Sequence, residues 1–161
     1  MLEVLNLCIQ VEETIGRVYR WLAANAEDNP ELRRIWAKMA MDEDGHADNL
    51  RFARRMNPLE HIAKTRIDRA DVKLLLDKAT RFHQLVQDGG WTEDAALKMA
   101  CELEQNFQQV HIQMAAEFTN GQMREMFNNL GKGDREHLAE LEGYLAREKK
   151  DSPSGDSDRP Q

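Results

Sequence analysis

Cysteine is nearly absent. Only Cys8 and Cys101 occur, with no CxxC pair, which excludes a four-cysteine zinc or iron centre within these 161 residues. Two lone cysteines on helical segments are expected to pack as small apolar residues rather than to join in a disulfide, and a reducing, cytoplasmic setting is the default expectation. Long apolar runs are missing too: nothing approaches the ~20 residues of a membrane span. The opening stretch MLEVLNLCIQVEE has no basic region and reaches acidic residues quickly, so neither a signal peptide nor a membrane partner is expected. No Lys/Arg cluster outweighs the acids, and the formal net charge of −7 argues against a nucleic-acid partner. Proline and glycine are sparse before the tail, whereas Ala, Leu, Glu, Arg, Met and Gln dominate. That composition favours helix, and the length suffices for one domain with a real core.

Periodicity divides the chain into five helical segments. Leu5, Ile9, Glu12, Ile15, Gly16, Tyr19 and Leu22 recur at three- and four-residue steps and predict a helix over 2–27. Asn29-Pro30 is a stop-and-start signal, a cap followed by a proline suited to the first helical position. A second helix is predicted over 30–55 with Ile35, Met39, Glu43, His46, Leu50 and Ala53 inward, ended by Asn57-Pro58. Residues 58–67 read as irregular. A shorter helix follows over 68–87, capped by Asp68 and stopped by Gly89-Gly90. Thr92 can cap a long helix over 93–118, with Leu97, Ala100, Cys101, Glu104, Phe107, His111 and Met114 on one side. Asn120-Gly121 breaks the chain before a last helix over 122–147, with Met126, Leu130, Asp134, His137, Leu141 and Tyr144 inward and Gly131 and Gly133 as candidate kink positions. Residues 149–161 are charged and poor in apolar groups and read as a disordered tail behind a domain over 1–148. Two long helices, a crossover carrying a short helix, and two more long helices predict an all-α, ferritin-like four-helix bundle with a long crossover.

Four apolar stripes are each interrupted by a carboxylate. Glu12 lies between Ile9 and Ile15, and Glu104 between Cys101 and Phe107. The other two interruptions are acid-x-x-His pairs, Glu43/His46 and Asp134/His137. Residues three apart share a helix face, so each pair can aim an oxygen and an imidazole nitrogen at one point. With one acid from each remaining helix they make a six-residue candidate metal cage: Glu12, Glu43, His46, Glu104, Asp134 and His137. Oxygen and imidazole ligands suit iron that changes oxidation state, with Mn or Zn as possible substitutes. Four carboxylates balance the charge of two divalent ions, which makes their burial tolerable. Without metal the acids repel or take up protons, and the apo-protein is expected to be the less stable form.

These segments resemble the rubrerythrin branch of the ferritin-like superfamily. VEETIGRVYRWLA at 11–23 is similar to that family's first-helix motif, in which a Glu precedes a Tyr by seven residues, here Glu12 and Tyr19. DEDGHADNL at 42–50, LKMACELEQNF at 97–107 and DREHLAELEGYL at 134–145 resemble the second-, third- and fourth-helix motifs. The resemblance spans about residues 1–148. It implies a di-iron carboxylate site reacting with O2 or H2O2, in peroxide removal or ferroxidase action, as in oxidative-stress defence. It also implies bridging roles for Glu43 and Glu104, terminal or bridging roles for Glu12 and Asp134, and one terminal nitrogen each from His46 and His137. Three departures matter. Phe107 stands where the family has a second third-helix Glu tied to peroxide reduction. The rubredoxin part of typical members is not found in this sequence, so electrons are expected from a separate donor protein or from Fe(II) itself. Asp134 is shorter than the usual Glu. A homodimer or larger homo-oligomer is expected.

Rival readings apply residue by residue. Glu13 competes with Glu12, and Glu102 with Glu104; position in the stripe favours Glu12 and Glu104. Glu136, Asp44 and the basic Arg51, Arg54 and Arg55 read as surface charges. Tyr19 reads as a core residue whose hydroxyl finds a partner, a metal ligand being one option. His111, seven residues after Glu104 on the same face, reads first as a packed or hydrogen-bonded histidine and second as a metal group. His61 and His83 read as crossover or surface residues, and Met39, Met99, Met114 and Met126 as core filler. Gly16 and Gly45 suggest close helix approach or room beside a metal. The rivals to an oxidoreductase are an iron-storage protein, which a large assembly would support, and a metal-free structural bundle.

Overall fold

A computed structural model describes residues 1–56 and 67–151, the last by its backbone alone. It contains five α-helices: α1 Leu2–Asn25, α2 Pro30–Arg55, α3 Arg69–Gln87, α4 Glu93–Glu117 and α5 Gly121–Asp151. Among the described residues the chain is helical apart from short connections. The expected irregular stretch lies almost wholly at 57–66, outside the described residues together with His61, as do residues 152–161 of the expected tail. α5 runs to Asp151, past the expected end at 147, and passes through Gly131 and Gly133 without a break.

The helix starts follow local chemistry. Asn29 Oδ1 accepts from the Leu32 amide at 3.1 Å, ahead of Pro30. Asp68 accepts from Ala70 at 2.8 Å, Thr92 from Ala95 at 3.2 Å, and Asn120 from Met123 at 3.1 Å. Each satisfies an amide that the first helical turn leaves without a carbonyl. Gly89 takes φ 71° after α3, a left-handed conformation that glycine adopts without a Cβ penalty.

Two hairpins, α1/α2 and α4/α5, have short turns and so run antiparallel within each pair. α1 packs extensively on α2, and α4 on α5, while α2 and α5 close the bundle. α3 lies outside the site, packed on α1 and α4 through Val72, Leu75, Ala79, Phe82 and Val86, all buried. Its near end is pinned where Glu117 Oε1 accepts from the Ile67 amide at 3.1 Å. At one end of the bundle, Asn29 donates to the Tyr144 hydroxyl at 2.6 Å and that hydroxyl donates to Glu93 at 2.9 Å. This chain ties the α1–α2 turn to α5 and the start of α4.

Both cysteines are free, Cys8 fully buried and Cys101 half-buried. Burial pushes the Cys8 thiol up to about 12, as expected of an inert core residue. Met39 and Met114 are fully buried in the core, and Met99 and Met126 pack against it. No helix among the described residues is long and apolar enough to cross a membrane.

Candidate metal centre

Tight helix approach builds the site. A Cβ on Gly16 would meet the Glu43 Cβ at 3.3 Å and the Ala40 carbonyl oxygen at 3.7 Å, so glycine lets α1 lie close against α2 beside Glu43. On Gly131 it would meet Ile112 Cγ1 at 3.2 Å and the His111 Cβ at 3.5 Å, which brings α5 close to α4. On Gly133 it would strike the His46 ring, at 2.7 Å from Nε2 and 3.0 Å from Cε1. The ring of His46 thus lies where a side chain on α5 would otherwise be. Gly45 has no atom in its way and, with Gly133, lines a cleft of about 330 Å³ that reaches His46 and His137 between Asp42, Asn49 and Glu136.

Glu12, Glu43, His46, Glu104, Asp134 and His137 are all buried, at the positions where each stripe turns inward. The rivals are not: Glu13 pairs with Arg51, Glu102 with Lys78, Asp44 with Arg20 and Glu136 with Lys132, all at the surface or half-exposed. Donor atoms from Glu12, Glu43 and His46 lie within 4.8 Å of one another, and so do those from Glu43, Glu104 and His137. Glu43 belongs to both groups. Its Oε2 is 3.2 Å from His46 Nδ1 and its Oε1 3.2 Å from His137 Nδ1. Glu104 faces one group only: Oε2 is 3.2 Å from His137 Nδ1, while Oε1 accepts from the Tyr19 hydroxyl at 2.6 Å. Asp134 stands beside the first group, with Oδ1 3.6 Å from His46 Nδ1 and Oδ2 2.7 Å from His111 Nδ1.

Five of these buried atoms have no hydrogen-bond partner: both oxygens of Glu12, Glu43 Oε1, His46 Nδ1 and His111 Nε2. Leaving one buried polar group unmade costs about 1–3 kcal/mol, so five of them converging on one region is an arrangement that a cation would satisfy. The donor set, oxygen with imidazole and no thiolate, suits iron, manganese or zinc.

Electrostatics agree. Burial first, then the charges of Glu43, Asp134 and Glu104, pushes Glu12 well above the usual carboxylate range. Burial opposes ionisation of Glu43 as well, but its contacts with Glu12 and with the imidazoles of His137 and His46 outweigh it and hold Glu43 well below that range. Burial and the charge of Glu43 push Glu104 up to about 7. For His137 burial acts downward, yet Glu104 and Glu43 outweigh it and push the ring up to about 11. Without metal, Glu12, Glu104, His46 and His137 thus all hold a proton more tightly than usual, and a divalent ion would compete with those protons.

Supporting contacts surround the cage. Tyr19 stacks on Trp36, ring centroids 5.2 Å apart, and so fixes the hydroxyl on Glu104. Asp42 Oδ2 lies 3.1 Å from His137 Nε2 and 3.0 Å from Lys38 Nζ. As acceptor it places a proton on Nε2 and leaves Nδ1 to face the carboxylates. The sequence gives no hint of Asp42, because its contact is with the opposite hairpin. His111, legible from its place on the Glu104 face as a packed or hydrogen-bonded histidine first and a metal group second, is hydrogen-bonded to Asp134.

Helix order, the external crossover helix and a buried cage of carboxylates and imidazoles define an all-α bundle of the ferritin-like class with residues able to hold metal. The rubrerythrin family model matches residues 3–145, and the chain belongs to the rubrerythrin family. No curated protein and no solved structure matches it.

Proposed function

We propose that this protein is a di-iron carboxylate oxidoreductase that reacts with O2 or H2O2, of oxidase, peroxidase or ferroxidase type. The observation that carries this reading is the set of five unpartnered buried donor atoms at the meeting point of four helices. Glu12, Glu43, His46, Glu104, Asp134 and His137 would hold the two ions, and iron bound there would supply the electrons that reduce the oxidant. Glu43 would contribute to both halves of the cage, a reading supported by its two oxygens facing different histidines. Tyr19 and Asp42 orient Glu104 and His137. Phe107 and Phe127, both buried, pack beside His111, while Gly45 and Gly133 line the cleft that reaches His46 and His137. Phe107 offers no carboxylate, which favours oxidase or ferroxidase action over peroxide reduction. Electrons beyond those of Fe(II) would come from a separate donor protein.

The test is metal analysis of protein as isolated, followed by stopped-flow mixing of the Fe(II) form with O2 and with H2O2. His46→Ala and His137→Ala are each expected to remove bound iron and oxidation together. Unchanged iron content and rate in both variants would reject the proposal.

A further inference from the structure

We infer that His111 is a third imidazole ligand, bound through Nε2 to the cation that Glu12 and His46 hold. This rests on the two-cation reading above and extends it. His111 is fully buried and sits two helical turns along α4 from Glu104, on the same face. Its Nδ1 is 2.7 Å from Asp134 Oδ2. With the carboxylate as acceptor, that nitrogen carries the hydrogen, and Nε2 is the ring nitrogen left to bind a cation. Nε2 lies 3.3 Å from Glu12 Oε1 and makes no hydrogen bond to it or to any other group. Two buried donor atoms that face each other at this distance without a hydrogen bond are satisfied by a cation shared between them.

The spacing fits that role. Metal–ligand bonds of about 2.1 Å at right to tetrahedral angles put two donors about 3.0–3.4 Å apart. The 3.3 Å separation of His111 from Glu12 falls there, like the 3.2 Å between His46 Nδ1 and Glu43 Oε2. The ring is also held in place. Phe107 meets it edge-on at 4.5 Å, Phe127 lies at 6.3 Å, and Gly131 lets α5 close over its Cβ. Asp134 then acts at once as an oxygen donor on the His46 side and as the group that fixes the His111 tautomer, a pairing common around ligating histidines. The two positions become unequal. With His111 and Asp134 added to the cluster of Glu12, Glu43 and His46, the first position would have more donors than the cluster of Glu43, Glu104 and His137.

Cobalt(II) tests this without reference to turnover. The apo full-length chain, labelled with 15N-histidine, is loaded with cobalt(II) and the paramagnetically shifted, solvent-exchangeable imidazole N–H signals are counted by NMR. Three are expected, from His46, His111 and His137, with one lost in His111→Gln while two cobalt ions remain bound. Two signals in the wild type with two cobalt ions bound would overturn the assignment of His111 and leave the two-cation reading standing. If His111→Gln does not fold, the wild-type count alone decides. A wild-type chain that binds no cobalt would overturn the two-cation reading itself, and this inference with it.

Discussion

Replacing Gly133 by alanine sets two opposed effects against each other. The new Cβ would lie 2.7 Å from His46 Nε2, against 3.4 Å for an ordinary contact, so the ring or α5 must move by about 0.7 Å. His46 is not a flexible chain end. Its other nitrogen already stands 3.2 Å from Glu43 and 3.6 Å from Asp134, so the displacement falls on the donor geometry. Alanine in a helix interior gains up to about 1 kcal/mol over glycine, while overpacking costs about 1–3 kcal/mol. Metal-free stability is therefore expected to fall by no more than about 3 kcal/mol. Ligating groups need placement within about 0.5 Å, and disturbing what orients a ligand typically lowers affinity about 10–100-fold. Gly45→Ala is the control: nothing stands within 4 Å of its Cβ, so it is expected to stabilise the chain by about 0.5–1 kcal/mol and leave affinity unchanged. The assay is thermal unfolding in chelator alongside cobalt(II) titration of each apo variant. Wild-type affinity in Gly133→Ala at both positions would refute the claim that this glycine exists to seat His46.

Between about pH 5 and 8, above the range where the lowered Glu43 acts in the opposite sense, metal-free protein is expected to lose stability as pH rises, the reverse of the usual carboxylate case. The folded chain holds the Glu104 proton to pH about 7 and the unfolded chain only to its ordinary 4.5; across that window about 3 kcal/mol is lost. His137 continues the trend, its proton being held to about 11 when folded against 6.5 when unfolded. Urea denaturation of chelator-treated protein at pH 5 and pH 8 checks this, and equal or greater stability at pH 8 would contradict it. Tyr19→Phe leaves Glu104 Oε1 without its donor and is expected to cost about 1–3 kcal/mol, read by thermal unfolding of the metal-free form. Asp42→Ala frees the His137 ring and is expected to weaken metal binding about 10–100-fold while helix content by circular dichroism is unchanged; unaltered affinity would show that Asp42 orients nothing.

Much of this architecture is written in the order of residues. The apolar stripes at three- and four-residue steps and the caps Asn29, Asp68 and Thr92 act within one helix or across one turn, so they are legible without tertiary information. Acid-x-x-His spacing likewise obliges Glu43 with His46, and Asp134 with His137, to share a face. Stripe position favours one of two adjacent or near-adjacent acids, and burial separates Glu12 from Glu13 and Glu104 from Glu102. Contacts between hairpins were another matter. Asp42 reaches His137 across 95 positions of sequence, and Gly133 is small because a histidine from α2 lies over it. His111 shows its value only when α5 brings Asp134 to one nitrogen and α1 brings Glu12 to the other. The sequence by itself determined the helices, their caps and the faces that carry acid and imidazole, because those depend on backbone periodicity and short-range hydrogen bonds. Only the tertiary structure decided which donors meet, which are left without partners and what orients them, because those depend on the packing of one hairpin against the other.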